Sequence, residues 1–155
     1  MQKTNAIRIL EKLKIEFSTD EYPVDLDELD ALSVALKINA EPERVFKTLV
    51  ARSSDDNIYV FCIPGNFELN LKLAAHAANV KKIELINLRE LLPLTGYIRG
   101  GCSPIGMKKK YKTFIDETAQ LFDKIFVSAG ARGIQVSISP KDLIRAVEGI
   151  FAELI

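Results

Sequence analysis

The sequence is poor in the residues that most often bind metals or act as nucleophiles. It contains one histidine, His76, and two cysteines, Cys62 and Cys102, too few for a disulfide framework or a zinc site. Neither a GxxxxGK[ST] phosphate loop nor a GxGxxG dinucleotide motif occurs. No apolar run approaches the ~20 residues of a membrane span, and the N-terminus lacks a signal-peptide core. We therefore expect a cytoplasmic protein without metal, cofactor or membrane partner.

The composition is that of a folded globular protein. Hydrophobic residues make up 48% of the 155 residues and charged residues 27%. A chain of this length buries roughly two thirds of the surface of its unfolded state in one core. We expect a single domain over residues 1–155.

The charges are balanced overall but unevenly placed. Residues 1–45 contain six basic and ten acidic side chains, a net of −4, whereas residues 81–112 contain eight basic and two acidic ones, a net of +6. A local basic region fits a phosphate-bearing partner that is held there. The alternative is a solvated charged surface, and both alternatives apply equally to the run Lys108–Lys112.

Short helices and strands alternate along the chain. Apolar periodicity predicts helices near the N-terminus and over residues 32–38, 71–78 and 88–92, and a final helix that buries Leu143, Ile144, Val147, Ile150 and Phe151. Strands are predicted over 15–22, 44–52, 58–63, 83–86, 124–128 and 133–138. The fold class is α/β, with a mixed, barrel-like sheet surrounded by short helices.

Three of the eight glycines fall within the seven-residue segment Gly100–Gly106, which also contains Cys102, Ser103 and Pro104. Glycine permits positive φ and close backbone approach, while proline fixes its own φ. Backbone N–H groups of such a loop could converge on an anion or a developing oxyanion. A complex turn between two strands is an equally good interpretation of the glycine cluster alone.

Lys47 interrupts an apolar strand. Period-two alternation places Val45, Lys47 and Leu49 on one face and Phe46, Thr48 and Val50 on the other. A lysine among apolar neighbours is costly unless its ammonium has a partner or a route to solvent. It is either a cation that projects into a pocket or an edge-strand lysine that reaches solvent.

Other candidate side chains have weaker patterns around them. A Cys102–His76 pair would need a third orienting group, and His76 lies in an alanine-rich helix without a surrounding motif, so a thiol nucleophile is not favoured. Cys62 is expected in the core. Ser128 ends an apolar strand and is a candidate hydroxyl for a binding pocket. Arg132 is a candidate contact to phosphate, and Tyr22 could form an aromatic wall of the pocket. For each of the three, an ordinary structural role is the alternative.

Together these residues resemble the YbaK family of aminoacyl-tRNA deacylases, which is related to the editing domain of bacterial prolyl-tRNA synthetases. Arg44–Leu49 resembles the strand that carries the family's key lysine, and Gly100–Gly106 resembles its GxxxP loop, with Gly100 and Pro104 at the defining spacing. Val127–Gly133 resembles its late strand and loop, and Thr95–Tyr97 adds to the match. The match covers nearly the whole chain in order.

The resemblance implies hydrolysis of the ester between a wrong amino acid and its tRNA. The nearest branch removes cysteine from tRNA for proline, with the thiol of the substrate as the attacking group. Lys47 would then hold the terminal adenosine or the carbonyl, and the loop amides of Gly101, Cys102 and Ser103 would stabilise the oxyanion. The binding pocket would be formed by Thr48, Tyr22, Ser128 and Arg132, together with Gly100, Pro104 and Gly106. The implied partners are the tRNA acceptor end and prolyl-tRNA synthetase.

Two alternatives stay open at the level of sequence. The domain could deacylate a different mischarged tRNA, such as Ala-tRNA(Pro). It could also be a non-catalytic module that binds tRNA or a synthetase.

Overall fold

The computed structural model of the chain describes residues 3–155. The helices are α1 (Asn5–Lys12), α2 (Ala31–Lys37), α3 (Leu71–Ala78), α4 (Leu91–Thr95) and α5 (Pro140–Val147). The strands are β1 (Phe17–Glu21), β2 (Phe46–Ser53), β3 (Ile58–Pro64), β4 (Ile83–Leu85), β5 (Lys112–Asp116), β6 (Ile125–Ser128), β7 (Ile134–Ile138) and β8 (Ile150–Ala152). Short 3₁₀ helices occupy Pro42–Arg44, Leu88–Glu90 and Glu117–Leu121.

The strands form two sheets. The five-stranded sheet has the order β4-β2-β3-β5-β8 and is mixed, because β2 pairs antiparallel with β3 and β4 while β5 pairs parallel with β3 and β8. The three-stranded sheet, β1-β7-β6, is antiparallel. An isolated bridge between Val45 and Phe126 connects them. The α/β class and the mixed sheet are confirmed, but the strands do not close into a barrel.

The chain end differs from the sequence prediction. The final helix stops at Val147, because Glu148 adopts a left-handed conformation with φ of +51° and ends the helical hydrogen-bonding pattern. Ile150 and Phe151 lie in β8 and pair with Phe114 and Ile115 of β5. They were therefore wrongly assigned to the helix.

The helix before the glycine-rich segment ends later than predicted. Helix α4 continues through Pro93, which lies in the first turn, where a missing N–H costs little, and ends at Thr95. Gly96 follows with φ of +83°, the conformation that stops a helix.

The main core lies between the sheets. Apolar side chains from α1, both sheets and α5 form one cluster that includes Leu10, Val60, Ile125, Val136 and Leu143, all fully buried. One face of the three-stranded sheet packs into this core. None of the helices in residues 3–155 is long and apolar enough to cross a membrane.

Candidate functional site

A cavity of about 480 Å³ opens between the two sheets. Strand β2 lines it with Lys47 and Thr48, the segment after α4 with Gly100 and Cys102, and the three-stranded sheet with Ser128 and Gln135. The remaining walls come from the start of α2 and from apolar side chains of β2. We call this space the central cavity.

Lys47 is half-buried on β2. Its Nζ lies 3.5 Å from the carbonyl oxygen of Gly65, which accepts a hydrogen bond from it. The alternation predicted for this strand is confirmed, because Phe46 and Val50 pack in the main core while Val45 and Leu49 pack in other clusters on the opposite face.

The carbonyl that receives Lys47 is held in place by a tight backbone contact. The Gly65 N–H donates to the carbonyl of Val45 at 2.7 Å. A Cβ at Gly65 would lie 2.5 Å from the Cβ of Ala31, at the start of α2, so a larger residue does not fit there. The carbonyl that accepts from the Lys47 ammonium is thus held in place by its own backbone contacts.

The segment Gly100–Gly106, which we call the glycine loop, is shaped by internal hydrogen bonds. Gly100 and Gly106 have φ of +84° and +77°. The Ser103 hydroxyl accepts a hydrogen bond from the Ile105 N–H, and Gly101 donates its own N–H to the carbonyl of Ile98. Because the Gly101 amide is used in this turn and Ser103 is fully buried, Cys102 remains as the candidate oxyanion donor of the loop.

A second loop, residues 129–133, packs against the glycine loop backbone to backbone. A Cβ at Gly101 would lie 3.0 Å from the amide nitrogen of Arg132. The ring of Tyr97 fits between Gly106 and Gly130, since a Cβ at either glycine would come within 3.0 Å of it. The Ser128 hydroxyl accepts the Gly130 N–H at 3.2 Å and so fixes the start of this second loop.

One face of the three-stranded sheet is polar. Ser128 of β6 and Asp20 of β1 both lie directly opposite Gln135 of β7, so the three side chains form a row on one face. Gln135 is 5% exposed and Ser128 8%. The Gln135 Oε1 has no hydrogen-bond partner among residues 3–155.

Neither thiol is activated. Burial raises the pKa of Cys102 to about 12, and a hydrogen bond with the Thr95 side chain lowers this pKa by a smaller amount. Burial likewise raises the pKa of Cys62 to about 12, and Cys62 lies in the core with its Sγ 3.8 Å from the Thr48 Oγ1. His76 is exposed on α3 and does not line the cavity. Both thiols are therefore neutral at physiological pH.

The structure brings together five of the predicted site residues at the cavity: Lys47, Thr48, Gly100, Cys102 and Ser128. The other six do not line it. Gly101, Ser103, Pro104 and Gly106 shape the glycine loop, and Tyr22 packs beside Val45 and Phe126. Arg132 donates from Nε to the carbonyl of Arg99 and lines a separate space of about 150 Å³.

Sequence reasoning missed the charged rim and one buried amide. Asp30, Glu68 and Arg99 line the cavity, as does Gln135. Hydrogen bonds from Ser33 hold the pKa of Asp30 below its ordinary value. The alternation Ile134, Gln135, Val136, Ser137, Ile138 was the available signal, because it places two polar residues on one strand face.

The basic run beyond the glycine loop is partly engaged within the chain. Lys108 reaches the carbonyl of Pro93, and Lys110 forms an ion pair with Glu148. Lys112 lies over the ring of Phe114. No cluster of three or more His, Cys, Asp or Glu side chains suited to a metal ion occurs in the described part of the chain.

Comparison with known sequences places the chain in a family. Residues 27–146 match the family model of the aminoacyl-tRNA editing domain. The chain is 46% identical, over 99% of its length and 93% of the relative's, to a protein of Enterococcus faecalis named Cys-tRNA(Pro)/Cys-tRNA(Cys) deacylase EbsC. It is 29% identical to a proline–tRNA ligase of Lactobacillus gasseri over 71% of this chain but 19% of the ligase.

Solved structures show the same fold. A crystal structure named as a trans-editing enzyme for prolyl-tRNA synthetase superposes with a TM-score of 0.83 at 22% identity, covering 99% of this chain and 98% of that one. The protein APE2540 superposes with a TM-score of 0.86 at 20% identity, covering 95% and 96% of the two chains. The sequence resemblance to the YbaK-type deacylases is confirmed: this chain belongs to the aminoacyl-tRNA editing domain family.

Proposed function

We propose that the protein is a trans-acting deacylase, one domain over residues 1–155, that hydrolyses the ester of cysteine mischarged onto tRNA(Pro), and also Cys-tRNA(Cys). The observation that carries the proposal is a cavity where Lys47 meets the backbone of the glycine loop, in a chain 46% identical to a protein named for these two substrates. An ester carbonyl in this space would have a cation and backbone amides around it.

The attacking group comes with the substrate. The raised pKa values of Cys62 and Cys102 leave both thiols protonated, and the exposed His76 lies outside the cavity. In the proposed reaction the cysteine thiol of the substrate attacks the ester carbonyl carbon. The bond to the ribose oxygen breaks, this oxygen takes the proton that the thiol loses, and a cyclic thioester forms. Water then opens the thioester to free cysteine.

The protein contributes position and charge. The Lys47 ammonium is proposed to hold the carbonyl region or the terminal adenosine, and the N–H group of Cys102, which lines the cavity, to donate to the oxyanion. Ser103 is fully buried and is proposed to shape the loop behind it. Donors aimed at developing negative charge are worth about 10²–10³ in rate when one is removed. The hydroxyls of Ser128 and Thr48 are proposed to shape the amino-acid pocket.

The choice of tRNA is proposed to come from prolyl-tRNA synthetase. Two proline–tRNA ligases align with this chain over only 19% and 14% of their own lengths, so a similar segment is a small part of those enzymes. We propose that an editing domain of this size depends on a partner that reads the rest of the tRNA. Because translation uses the charged tRNA, the proposed location is the cytoplasm.

The test is release of labelled amino acid from Cys-tRNA(Pro), Cys-tRNA(Cys) and Ala-tRNA(Pro). We expect the wild type to release cysteine from both cysteinyl substrates, and Lys47→Ala to be slower by about 10²–10³. Lys72→Ala, an exposed lysine on α3, is the matched control and keeps wild-type activity.

The outcomes separate the rival functions. Preferential release from Ala-tRNA(Pro) would assign the alanine specificity instead. Absence of release from every substrate, together with tRNA binding that weakens steeply with salt, would favour a binding module. Equal rates for wild type and Lys47→Ala would remove Lys47 from the mechanism.

A further inference from the structure

Gln135 is a buried acceptor without a donor. Its side chain lines the central cavity, is 5% exposed, and its Oε1 makes no hydrogen bond with any residue of 3–155. Buried side-chain polar atoms in folded proteins nearly always have a partner, because an unsatisfied one loses its hydration without compensation. A vacant acceptor that faces a cavity therefore points to a donor supplied by a ligand.

The neighbours of Gln135 fix its place. It lies directly opposite Ser128 on β6, and Ser128 also lines the cavity. The Ser128 hydroxyl already accepts the Gly130 N–H. Lys47 enters the same cavity from the five-stranded sheet. The cavity thus has a cation on one wall and a neutral acceptor on the other.

On the basis of the proposed function, we propose that Gln135 accepts a hydrogen bond from the α-ammonium group of the esterified amino acid. The site would then select aminoacyl esters with a free α-amine and reject N-acylated ones. An aminoacyl ester has electronegative oxygens at its carbonyl and ribose and a cation at its α-carbon. Lys47 suits the first end, and a carbonyl-type acceptor suits the second.

Other donors and acceptors at the cavity fit this pairing less well. A substrate thiol is a weak donor, whereas an ammonium gives charge-assisted hydrogen bonds about twice as strong as neutral ones. Among the acidic residues that line the cavity, the Asp30 carboxylate already accepts from the Ser33 N–H and hydroxyl, and Glu68 is exposed. Of these acceptors, Gln135 is the one that is both buried and without a donor in residues 3–155, and it therefore suits the α-ammonium group of the substrate.

The α-ammonium is common to all aminoacyl-tRNAs, so Gln135 does not choose between side chains. It would exclude esters whose amine is blocked by an acyl group, a class that includes formylated and peptidyl-tRNA. The contact exists before and during ester cleavage, so its loss should raise KM more than it lowers kcat.

The test compares Cys-tRNA(Pro) with its N-acetylated form. We expect the wild type to favour the free amine by about 10-fold or more, as a hydrogen bond to a charged group implies. Gln135→Met, of similar shape without the acceptor, should lower kcat/KM for Cys-tRNA(Pro) by about 10-fold, mainly through KM, and leave the acetylated substrate unchanged. Gln135→Glu keeps an acceptor and should keep the preference. Gln120→Met, the same change at an exposed glutamine, is the matched control.

The variant should fold, because methionine removes an unsatisfied polar atom from the interior, and the midpoint of thermal unfolding checks this. Equal wild-type rates on the two substrates would overturn the inference, as would a folded Gln135→Met enzyme that keeps the preference. Both results leave the proposed function standing, since cysteine is still released. Wild-type protein that releases no cysteine from Cys-tRNA(Pro) would overturn the proposed function and this inference with it.

Discussion

The two sheets present different chemistry to the central cavity. From the five-stranded sheet comes a cation, Lys47, which is half-buried and in contact with the Gly65 carbonyl. From the three-stranded sheet come neutral groups, Ser128 and Gln135, which are more than nine-tenths buried. A charge loses far more than a neutral amide when it is removed from water. The charge is therefore placed where solvent still reaches, and the neutral hydrogen-bonding groups where it does not.

The difference also separates two kinds of sheet. The three-stranded sheet has one apolar face, with Ile134, Val136 and Ile138 in the main core, and one polar face toward the cavity. Strand β2 packs apolar side chains on both faces, and Lys47 interrupts one of them. Polar side chains on the first sheet lie opposite one another across its strands, whereas Lys47 of β2 lies between Val45 and Leu49 on its own face.

Exchanging the two side chains should break this arrangement most strongly. Gln135→Lys places an ammonium on the buried wall, and we expect a loss of about 3 kcal/mol in the free energy of unfolding, because the charge is removed from water at a position that is 5% exposed. The reciprocal Lys47→Gln should change stability by less than about 1 kcal/mol while it abolishes most deacylation. Urea unfolding of both variants measures the contrast. Wild-type stability of Gln135→Lys would show that water already reaches this wall.

The contact between the glycine loop and the loop of residues 129–133 fixes the position of one cavity wall relative to the other. The variant Gly101→Ala tests this contact. The new Cβ would lie 3.0 Å from the Arg132 nitrogen and 3.1 Å from the Ala131 carbonyl carbon, and backbone cannot move aside as a side chain can. We expect a loss of about 1–3 kcal/mol and a slower release of cysteine, as the glycine loop shifts away from Lys47.

Gly96→Ala is the control for this change. A Cβ at Gly96 meets no atom within 4 Å, so only its positive φ of +83° is strained. It should cost about 1 kcal/mol and leave the deacylation rate unchanged. If both variants lose activity equally, the loop contact does not position the site.

Local patterns were sufficient to predict the side-chain alternation of β2 and the glycines at which the loop turns. Alternation in β2 placed Lys47 correctly relative to Val45 and Leu49, since a strand's period is fixed by its own backbone. Gly100 and Gly106 indeed have positive φ. Alternation in β7 could place Gln135 on a polar face, but its neighbours Ser128 and Asp20 are set by pairing between strands that are distant in the sequence, so the pattern alone does not assign it to the site.

Two predictions, one in the glycine loop and one at the chain end, differ from the structure for separate reasons. The Gly101 amide was predicted to face the substrate, but a turn within the loop directs it to the Ile98 carbonyl. Ile150 and Phe151 continue a helical apolar pattern, yet the left-handed Glu148 before them and a free edge of β5 place them in a strand. Apolar periodicity therefore did not report which element these two residues join, and Ile150, predicted to be buried, is 49% exposed.

The smallest expected effect concerns Cys102, the one thiol at the cavity. Because burial raises its pKa to about 12, it is protonated throughout the physiological range, so Cys102→Ala should release cysteine at nearly the wild-type rate with an unchanged pH profile between pH 6 and about 9. A loss of several orders of magnitude would instead make this thiol the nucleophile.

The same raised pKa predicts a stability difference at alkaline pH. A thiol whose pKa is higher in the folded than in the unfolded chain stabilises the fold fully below the unfolded value, near 9.0, and this contribution declines as the pH rises toward about 12. Wild type should therefore lose up to about 1.4 kcal/mol per pH unit above pH 9 through Cys102, a loss that Cys102→Ala avoids. The pKa of Cys62 is raised mainly by burial in both proteins, so most of its contribution cancels in the comparison. Urea unfolding at pH 7 and pH 10 measures this effect, and between the two pH values the stability of Cys102→Ala should improve relative to wild type by about 1 kcal/mol. If the stability difference between the two proteins is the same at both pH values, Cys102 ionises as readily in the folded protein as in the unfolded chain. The cavity wall around Cys102 would then be as polar as the rim at Lys47.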